Sequence, residues 1–479
     1  MNTDRQVYLL NPRQLSPETI AVTFAKTSRS PESFREIAEG LTDEKSAEFH
    51  EKWVVGYGHS SVAEHAVLHV AIENVSRLAI ESIESNRLAS YTEKSTRYQK
   101  WDPSSFYIPP ELTDPELRRL FEATCRDLFD TYQRALQQVK DSLSRSIPKK
   151  DGESEAAWDR RVRSQYVDVC RFLLPAASLA NVGMTANARV LEHAILKMLS
   201  DPLEEVRAIG AEVKRVAQAE VPTLVKYAER SGCLVETVNA LSEEAARFSL
   251  AETRGDWLRL VDYDPQGEVK ILAAALFRYG DISWKRACQV VGDMDEVARL
   301  RLSNALLGRL GKHDIPLREV EHTTYTFELV VDQGAYFEIK RHRMMTQSPQ
   351  ALTTRLGYAI PRQMTLAGFE AEYCRAMDQA AMAYERLAQA YPTLAAYVAP
   401  NGYNRRMLLT LNLREAYHFC SLRSASNAHF SVRRVALRMA EQIRAVHPVL
   451  AGFMDLPVGE TWKSVEEENF SHLQAGVAS

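Results

Sequence analysis

The stretch YFEIKRHRMMTQ at residues 336–347 contains three consecutive side chains that are cationic or can become so, namely Arg341, His342 and Arg343. Three such side chains in a row cannot all point into an apolar core, because burying a charge without a partner is costly. They must therefore reach solvent, a partner or an anionic ligand. The distant stretch EKSTRY at residues 93–98, with one arginine and three hydroxyl side chains, is the candidate counterpart of this triplet.

Length and composition indicate a soluble globular protein of several domains. A chain of 479 residues is too long for one ordinary core, so two or more domains are expected. The hydrophobic fraction of 45% and the charged fraction of 25% are typical of soluble proteins. A formal net charge of −4 gives no general attraction to nucleic acid, so we expect no nucleic-acid partner. Any phosphate must then be bound locally, by clustered arginines.

The cysteine pattern favours reduced thiols in a cytoplasm. The six cysteines are widely scattered and form no C-x-x-C pair, which argues against a disulfide framework or a zinc site. His65 and His69 are four residues apart, but the HExxH order is absent and their segment has the pattern of a strand, so no metal is expected. No apolar run is long enough to cross a bilayer, so we expect a cytoplasmic protein without a membrane partner.

Apolar periodicity predicts strands at residues 67–72 and 323–332 and long amphipathic helices at 110–146 and 369–391. The opening segment is expected to form a strand, a turn and a second apolar segment, and residues 257–284 are expected to repeat this arrangement as strand, turn and strand.

Four further segments complete this prediction. Residues 147–165 are expected to be an exposed connection, and residues 169–199 a helix interrupted by Pro175. The stretch 231–257 has the composition of a linker. The helix near the C-terminus carries four arginines that are expected to form a solvated face, with nucleic acid a distant alternative: Arg433, Arg434, Arg438 and Arg444.

The second part of the chain repeats the first. Glu64-His65 recurs as Glu321-His322 after 257 residues, and Asn187-Ala188-Arg189 recurs as Asn412-Leu413-Arg414. Repetition over this length indicates duplicated domains and not a solenoid. We expect the boundary between residues 235 and 236, so that 1–235 is the first half and 236–479 the second half.

These motifs resemble those of the flavin-dependent thymidylate synthases. The matching stretches are GHSSVAEHAVLHVAIENVSR at 58–77 and NRLASYTEKSTRY at 86–98, followed by the RHR triplet of the second half. The family signature is G-H-x-S/T-x-x-E-H, then R-H-R, then a loop ending S-x-R-Y. The first half matches over nearly its whole length, and the second half matches more loosely.

The resemblance implies a fold, a reaction and an assembly. Enzymes of this family use FAD, reduced by NADPH, to pass a one-carbon unit from methylene-tetrahydrofolate to C5 of dUMP, without a covalent protein nucleophile. The fold class implied is α+β, with two tandem copies that each contain a mostly antiparallel sheet beside a helical bundle. Because the family forms homotetramers, the duplicated chain is expected to be a pseudo-dimer that assembles as a homodimer.

The resemblance also assigns candidate site residues. Arg423 is the candidate catalytic residue, because it corresponds to the arginine thought to face the pyrimidine. The candidate substrate-binding residues are Glu93, Ser95, Arg97, Arg171, Glu338 and Arg341. The candidate cofactor-binding residues are His59, Ser61, Glu93, Arg341, His342, Arg343, Asn187, Arg189, Asn412 and Arg414.

The two halves depart from the family in opposite places. In the first half Ser85-Asn86-Arg87 replaces the RHR triplet, and Met198 stands where the second half has Arg423. The second half lacks a clean S-x-R-Y loop and has Ala396 where the first half has Arg171. The remaining residues of the two halves complement each other, which predicts one complete site per chain.

Two alternatives stay open. Glu338 stands where the family commonly has glutamine, and Asn427 where it often has histidine, so the chain could be a drifted relative acting on another pyrimidine nucleotide or one-carbon group. It could also be a non-catalytic protein that binds flavin or nucleotide on the same scaffold. The complementary losses favour an enzyme, because simple decay would not spare one complete set.

Overall fold

The structure is a computed structural model that describes residues 6, 8–27, 30–56, 60–95, 101–248 and 255–475. Its strands are β1 (Val67–Ser76), β2 (Ser90–Glu93), β3 (Leu179–Asn187), β4 (Leu258–Tyr263), β5 (Thr324–Asp332), β6 (Thr346–Pro349), β7 (Tyr358–Pro361), β8 (Asn404–Asn412) and β9 (Phe470–Ala475). Its α-helices are α1 (Pro17–Thr27), α2 (Phe34–Glu39), α3 (Asp43–Phe49), α4 (Arg77–Ile83), α5 (Pro115–Ser146), α6 (Glu155–Cys170), α7 (Ala188–Leu199), α8 (Glu204–Gln218), α9 (Gly232–Arg247), α10 (Gly267–Tyr279), α11 (Trp284–Gly292), α12 (Glu296–Leu307), α13 (Gln333–Ile339), α14 (Arg362–Leu366), α15 (Glu370–Ala390), α16 (Leu413–Ser424), α17 (Phe430–Val446), α18 (Pro448–Ala451) and α19 (Trp462–Asn469).

Two compact units make up the described chain. The first unit contains the described residues of Met1–Ser95, Ser105–Thr113 and Ala177–Glu252, and the second unit contains those of Thr96–Ser104, Asp114–Ala176 and Thr253–Ser479. These units do not coincide with the two sequence halves, because α5 and α6 of the first half belong to the second unit. The boundary of the repeats at residue 235 therefore stays a prediction about the sequence.

The first unit is built on a three-stranded antiparallel sheet in the order β1-β3-β2. Alternate residues of the central strand β3 are buried, as expected for a sheet with one face against a core. At the end of β1, Ser76 caps α4 by accepting from the Ala79 N–H. The Glu205 carboxylate in turn accepts from Ser76 N and Ser76 Oγ, at 2.7 and 2.6 Å, which fixes the start of α4.

The second unit is built on a four-stranded antiparallel sheet in the order β4-β5-β8-β6. Tyr325, Phe327, Leu329 and Val331 of β5 are fully buried, as their period-two spacing predicts. The long helix α5 packs on α6 and α15 in the same unit. A separate antiparallel pair joins β7 to β9.

The two sheets are copies of one arrangement, which confirms the expected α+β fold with tandem repeats. Strand β1 pairs with β3 as β5 pairs with β8, and in both cases the second strand ends in an asparagine that caps the next helix. The ion pair of Glu64 with Arg189 recurs as the pair of Glu321 with Arg414. The strands and long helices predicted from periodicity at residues 67, 110, 323 and 369 are also present, with shifted ends.

Several predicted elements were wrong. The second apolar segment expected near the start is the helix α1, and the one expected after β4 is the helix α10. Residues 267–279 contain the run ILAAALF, and alanine and leucine have high helix propensity, so this apolar run forms a helix. Conversely, the helix expected at 169–199 contains the strand β3 before α7, because β3 pairs with two distant strands.

Two segments expected to be irregular are also helical. The expected connection at 147–165 contains most of α6, which starts at the cap Ser154. The expected linker at 231–257 contains α9, which starts at the cap Ser231 and has no buried residue. Side-chain capping by serine favours a helix start even where the flanking composition is polar.

The solvated arginine face predicted on α17 is present only at Arg444, since the Arg433 side chain is 12% exposed and pairs with Glu460. Arg434 is 1% exposed and Arg438 is 7% exposed. Both guanidiniums stack on the Trp257 ring, at 4.2 and 4.7 Å from its centroid. The helix α19 packs on α17 and supplies Glu466, which pairs with Arg434 at 3.0 Å. The periodicity of α17 alone cannot reveal that a segment distant in sequence buries these side chains.

Candidate functional site

The site in the second unit is centred on Glu338, near the end of α13. Asp332 caps this helix by accepting from the Ala335 N–H at 2.9 Å, so the helix start is fixed by a buried carboxylate. The Glu338 carboxylate accepts from Arg423 Nη1 at 2.6 Å. Their side chains are 17% and 14% exposed, so this charge-assisted hydrogen bond is largely shielded from water.

Three arginines act on the Glu338 carboxylate. Burial raises the pKa of Glu338, but the positive charges of Arg341, Arg171 and Arg423 outweigh burial and hold the pKa below its usual value. The carboxylate is therefore ionised near neutral pH. Arg171 comes from the first sequence half, and Arg341 and Arg423 come from the second half. The structure thus brings charged groups of both halves around one residue.

His342, the central residue of the RHR triplet, is buried with its side chain 3% exposed. Its Nδ1 lies 3.0 Å from Glu415 Oε1, and its Nε2 lies 2.9 Å from Arg423 Nε. Burial, followed by the charge of Arg423, lowers the pKa of His342, and this outweighs the raising effect of the hydrogen bond that His342 donates to Glu415. Arg341 is exposed and Arg343 is half-buried in the turn that follows α13.

Arg171 begins the short 3-10 helix Arg171–Leu173 directly after α6. Its Nη2 lies 3.5 Å from Asp168 Oδ1, and both side chains are 10% exposed. The Arg171 carbonyl accepts from Asn401 Nδ2 at 3.0 Å, which anchors this turn on the second half of the chain. His429, at the start of α17, stacks on the Phe172 ring with centroids 5.7 Å apart.

Glu93 and Ser95 lie in the first unit, at and just after the end of β2. The Glu93 carboxylate pairs with Arg77 Nη1 at 2.9 Å, and the two side chains are 2% and 5% exposed. Ser61 is exposed in the 3-10 helix Ser60–His65. His59 and Arg97, the remaining candidates of the first half, lie outside the described residues.

The two asparagine–arginine motifs have structural roles in both units. Asn187 and Asn412 accept from backbone N–H groups of Val190 and Glu415 and so cap α7 and α16. Arg189 pairs with Glu64 and is half exposed. Arg414 pairs with Glu321 at 2.9 Å and also donates to the Pro316 carbonyl at 2.8 Å. A role in cofactor binding stays a prediction for all four motif residues.

The sequence did not point to three charged residues that pair with the candidate residues Glu93, Arg171 and His342. These three are Arg77, Asp168 and Glu415. Glu415 had a usable signal, because Glu415, Phe419 and Arg423 follow one another at four-residue steps and therefore share a helix face. Arg77 and Asp168 had none, since their partnerships depend on the tertiary fold. No group of three His, Cys, Asp or Glu side chains that could hold a metal occurs in the described part of the chain. No described helix is long and apolar enough to cross a membrane.

Comparison with known proteins defines the family. The model of the family described as thymidylate synthase complementing protein matches residues 12–223 and again residues 259–449. The chain therefore belongs to this family, as a tandem member, and the resemblance to flavin-dependent thymidylate synthases is confirmed.

Full-length and half-length relatives both match. A UPF0159 protein of Chlamydia muridarum is 33% identical over 440 residues, which cover 87% of this chain and 83% of that protein. A UPF0159 protein of Thermoplasma acidophilum is 28% identical over 461 residues, covering 87% and 91%. The flavin-dependent thymidylate synthase of Clostridium tetani is 28% identical over 215 residues, covering 44% of this chain and 82% of that enzyme.

Among solved structures, the flavin-dependent thymidylate synthase ThyX of Helicobacter pylori in complex with FAD and dUMP aligns with 42% of this chain and all of that chain, at 20% identity and a TM-score of 0.32. A UMP/dUMP methylase, PolB, of Streptomyces cacaoi aligns with 42% of this chain and 96% of that chain, at 21% identity and the same TM-score.

Proposed function

We propose that this protein catalyses the flavin-dependent methylation of dUMP to dTMP, with methylene-tetrahydrofolate and NADPH as co-substrates. We further propose one complete site per chain, assembled from residues of both sequence halves. The observation that supports this most is the 2.6 Å contact of Arg423 with Glu338 in the second unit, where the charges of Arg171 and Arg341 also lower the pKa of the same carboxylate. The family membership of both halves supports the same reaction.

The donor set around Glu338 suits an anionic nucleotide. A nucleotide monophosphate carries about two negative charges near neutral pH. Guanidinium groups bind phosphate oxygens through two parallel hydrogen bonds and stay charged at any physiological pH. Glu93, Ser95 and Arg97 of the first half are also proposed as nucleotide-binding residues, with a hydroxyl and a guanidinium among their side chains, and Glu93 as a cofactor-binding residue as well.

Arg423 is proposed to face the pyrimidine ring. As C5 becomes nucleophilic, negative charge develops on the ring, and a fixed cation near the ring carbonyl would stabilise that charge. Arg423 already donates to Glu338 and to His342, so its guanidinium is oriented without any ligand. Such prior orientation avoids a reorganisation cost during the reaction.

The residues present also fit a flavin, which would supply the hydride that completes the methyl group. Arg341 is exposed beside the site and Arg343 is half-buried, so both offer charged donors to a pyrophosphate or to an anionic reduced ring. We propose that these two residues hold FAD, with His59, Ser61 and the two asparagine–arginine motifs contributing. A cytoplasmic homodimer that recreates the four repeats of the family assembly completes the proposal.

A second candidate is favoured by Glu338 itself. An ionised carboxylate accepts hydrogen bonds but cannot donate them, whereas the amide of a glutamine does both. A site with Glu338 would therefore favour a base that presents an N–H group over one that presents a carbonyl oxygen. This supports a drifted relative that acts on another pyrimidine nucleotide or transfers another one-carbon group.

The test combines spectroscopy with three matched variants. Purified protein loaded with FAD should be yellow, its flavin spectrum should shift on titration with dUMP, and dTMP should form with methylene-tetrahydrofolate and NADPH. Arg171→Ala and Arg423→Ala, one from each sequence half, should each abolish turnover. Arg355→Ala should leave turnover nearly intact, because Arg355 pairs with Glu385 on an exposed surface.

Each outcome discriminates between the candidates. Equal losses in all three variants would contradict the shared site. A dUMP-dependent spectral change without dTMP would favour another substrate, and cytidine monophosphates would be the next to test. Protein that cannot be loaded with FAD at all would favour a non-catalytic binding role.

A further inference from the structure

The hydrogen bonds of His342 determine its protonation state. Arg423 approaches Nε2 with its Nε–H group, and a guanidinium has no acceptor atom. Nε2 must therefore carry the lone pair, and the single ring proton must be on Nδ1. This Nδ1–H donates to the carboxylate of Glu415 at 3.0 Å. His342 is thus a neutral ring with both nitrogens engaged by protein groups.

We propose that Glu415 and His342 are positioning residues that orient the Arg423 guanidinium, and that His342 makes no polar contact with FAD. Glu415 fixes the Nδ1–H tautomer of His342, and the free lone pair on Nε2 then holds Arg423 Nε. The opposite edge of Arg423 donates to Glu338. The role of this arrangement in nucleotide binding rests on the proposed function. The tautomer of His342 and its dependence on Glu415 do not rest on it.

The local sequence explains why Glu415 can take this role. Glu415 is the third residue of α16, and its N–H donates to the cap Asn412 at 2.9 Å, so the start of the helix is fixed. Residues 415, 419 and 423 lie on one helix face because they are spaced by four. The Phe419 ring packs edge-on against the His342 ring, with centroids 4.8 Å apart. One helix face therefore contacts His342 through a carboxylate, a ring and a guanidinium.

The first half of the chain provides an internal comparison. The caps Asn187 and Asn412 are equivalent, so the positions that correspond to 415, 419 and 423 are Val190, Ala194 and Met198. The position of His342 is Asn86, whose Nδ2 donates to the Ile83 carbonyl at 3.3 Å. All four members of the network are replaced together in the first half. This joint replacement is expected if the four residues act as one unit, and it would be a coincidence if His342 served the cofactor alone.

Nitrogen-15 NMR of histidine side chains tests the tautomer in the purified full-length protein, without any substrate. The His342 signals, assigned by their loss in His342→Asn, should show the neutral Nδ1–H form near pH 7.5. Glu415→Gln keeps an acceptor oxygen and should keep this tautomer. Glu415→Leu leaves a buried Nδ1–H without an acceptor, so the ring should change to the Nε2–H form, which cannot accept from Arg423. Glu385→Leu, which removes a carboxylate from an exposed arginine pair, is the matched control and should leave the His342 signals unchanged.

A charged ring or an Nε2–H ring at His342 in the wild-type protein would overturn the proposal, even if Glu415→Leu fails to fold. Nucleotide titration supplies the second readout. Affinity for dUMP should fall about tenfold in Glu415→Leu and stay within about threefold in Glu415→Gln, as expected for losing one hydrogen bond to a charged group. Unchanged affinity in Glu415→Leu would also overturn it. If the wild-type protein binds no dUMP, the proposed function fails while the NMR result still decides the role of Glu415.

Discussion

Replacing Glu338 by glutamine, which has nearly the same shape but no charge, should destabilise the second unit by about 1–2 kcal/mol. The variant keeps a hydrogen bond from the charged Arg423 but removes the negative charge that pairs with it, so the loss should be a fraction of the about 3–5 kcal/mol that breaking a buried ion pair costs. Solvent screens this ion pair only weakly, because the side chains of Glu338 and Arg423 are only 17% and 14% exposed. The other guanidiniums near Glu338 would also lose a counter-charge.

Urea unfolding followed by tryptophan fluorescence measures this effect in the relevant unit. Five of the six tryptophans lie in the second unit, so their emission reports mainly on its unfolding. Glu385→Gln is the matched control, since the pair of Glu385 with Arg355 is 50% and 63% exposed, and it should change stability by less than about 1 kcal/mol. Equal stability of Glu338→Gln and the wild-type protein would refute the reasoning.

The pH dependence gives an independent check of the same prediction. The pKa of Glu338 lies below its usual value of 4.5, so the unfolded chain takes up this proton at a higher pH than the folded chain. The contribution of Glu338 is therefore complete above that usual value and is lost as the pH falls through the lower folded pKa. The stability difference between wild type and Glu338→Gln should shrink in the same interval. A difference that grows on acidification would contradict the charge-based account.

Three further substitutions test the packing around the two sheets. Arg434→Ala removes a buried cation that stacks on Trp257 and should cost about 3–5 kcal/mol, measured by urea unfolding, whereas exposed Arg444→Ala should stay within about 0.5 kcal/mol. Glu205→Ala leaves the buried Ser76 N–H without its acceptor and should cost about 3 kcal/mol, seen as faster hydrogen exchange in α4. Gly402→Ala would place a methyl group 2.6 Å from a tyrosine hydroxyl and should lower the unfolding midpoint by an amount equivalent to about 1–3 kcal/mol. Unchanged stability in any one of them would contradict the corresponding contact.

Local sequence patterns predicted the elements that depend on local physics. The alternation in β5 predicted a strand because its period-two residues are all buried on one face. The two asparagine–arginine motifs predicted that residues 187–189 and 412–414 occupy equivalent positions in the two halves. Both asparagines indeed cap helices. The apolar run of α10 was assigned to the wrong element because a short apolar run has no periodicity that separates a buried helix from a buried strand.

The candidate site was predicted only in part. The RHR triplet and Arg423 were found as motif residues, but their mutual arrangement was not. The triplet has no uniform character in the structure, since Arg341 is exposed while His342 is buried and bonded to Glu415. The shared role of Arg97 and Arg171 in one nucleotide site stays a prediction.

The sequence by itself determined that the chain is a duplicated α+β protein of this family, because repeated motifs and caps are local and survive divergence. Only the tertiary structure decided that α5 and α6 join the second unit and that Arg171 acts on Glu338. It also decided that Arg434 is buried and that His342 is a neutral link between Glu415 and Arg423. These properties depend on contacts between residues that are far apart in the sequence. The burial of a side chain, its protonation state and its hydrogen-bond partners are determined only by those contacts.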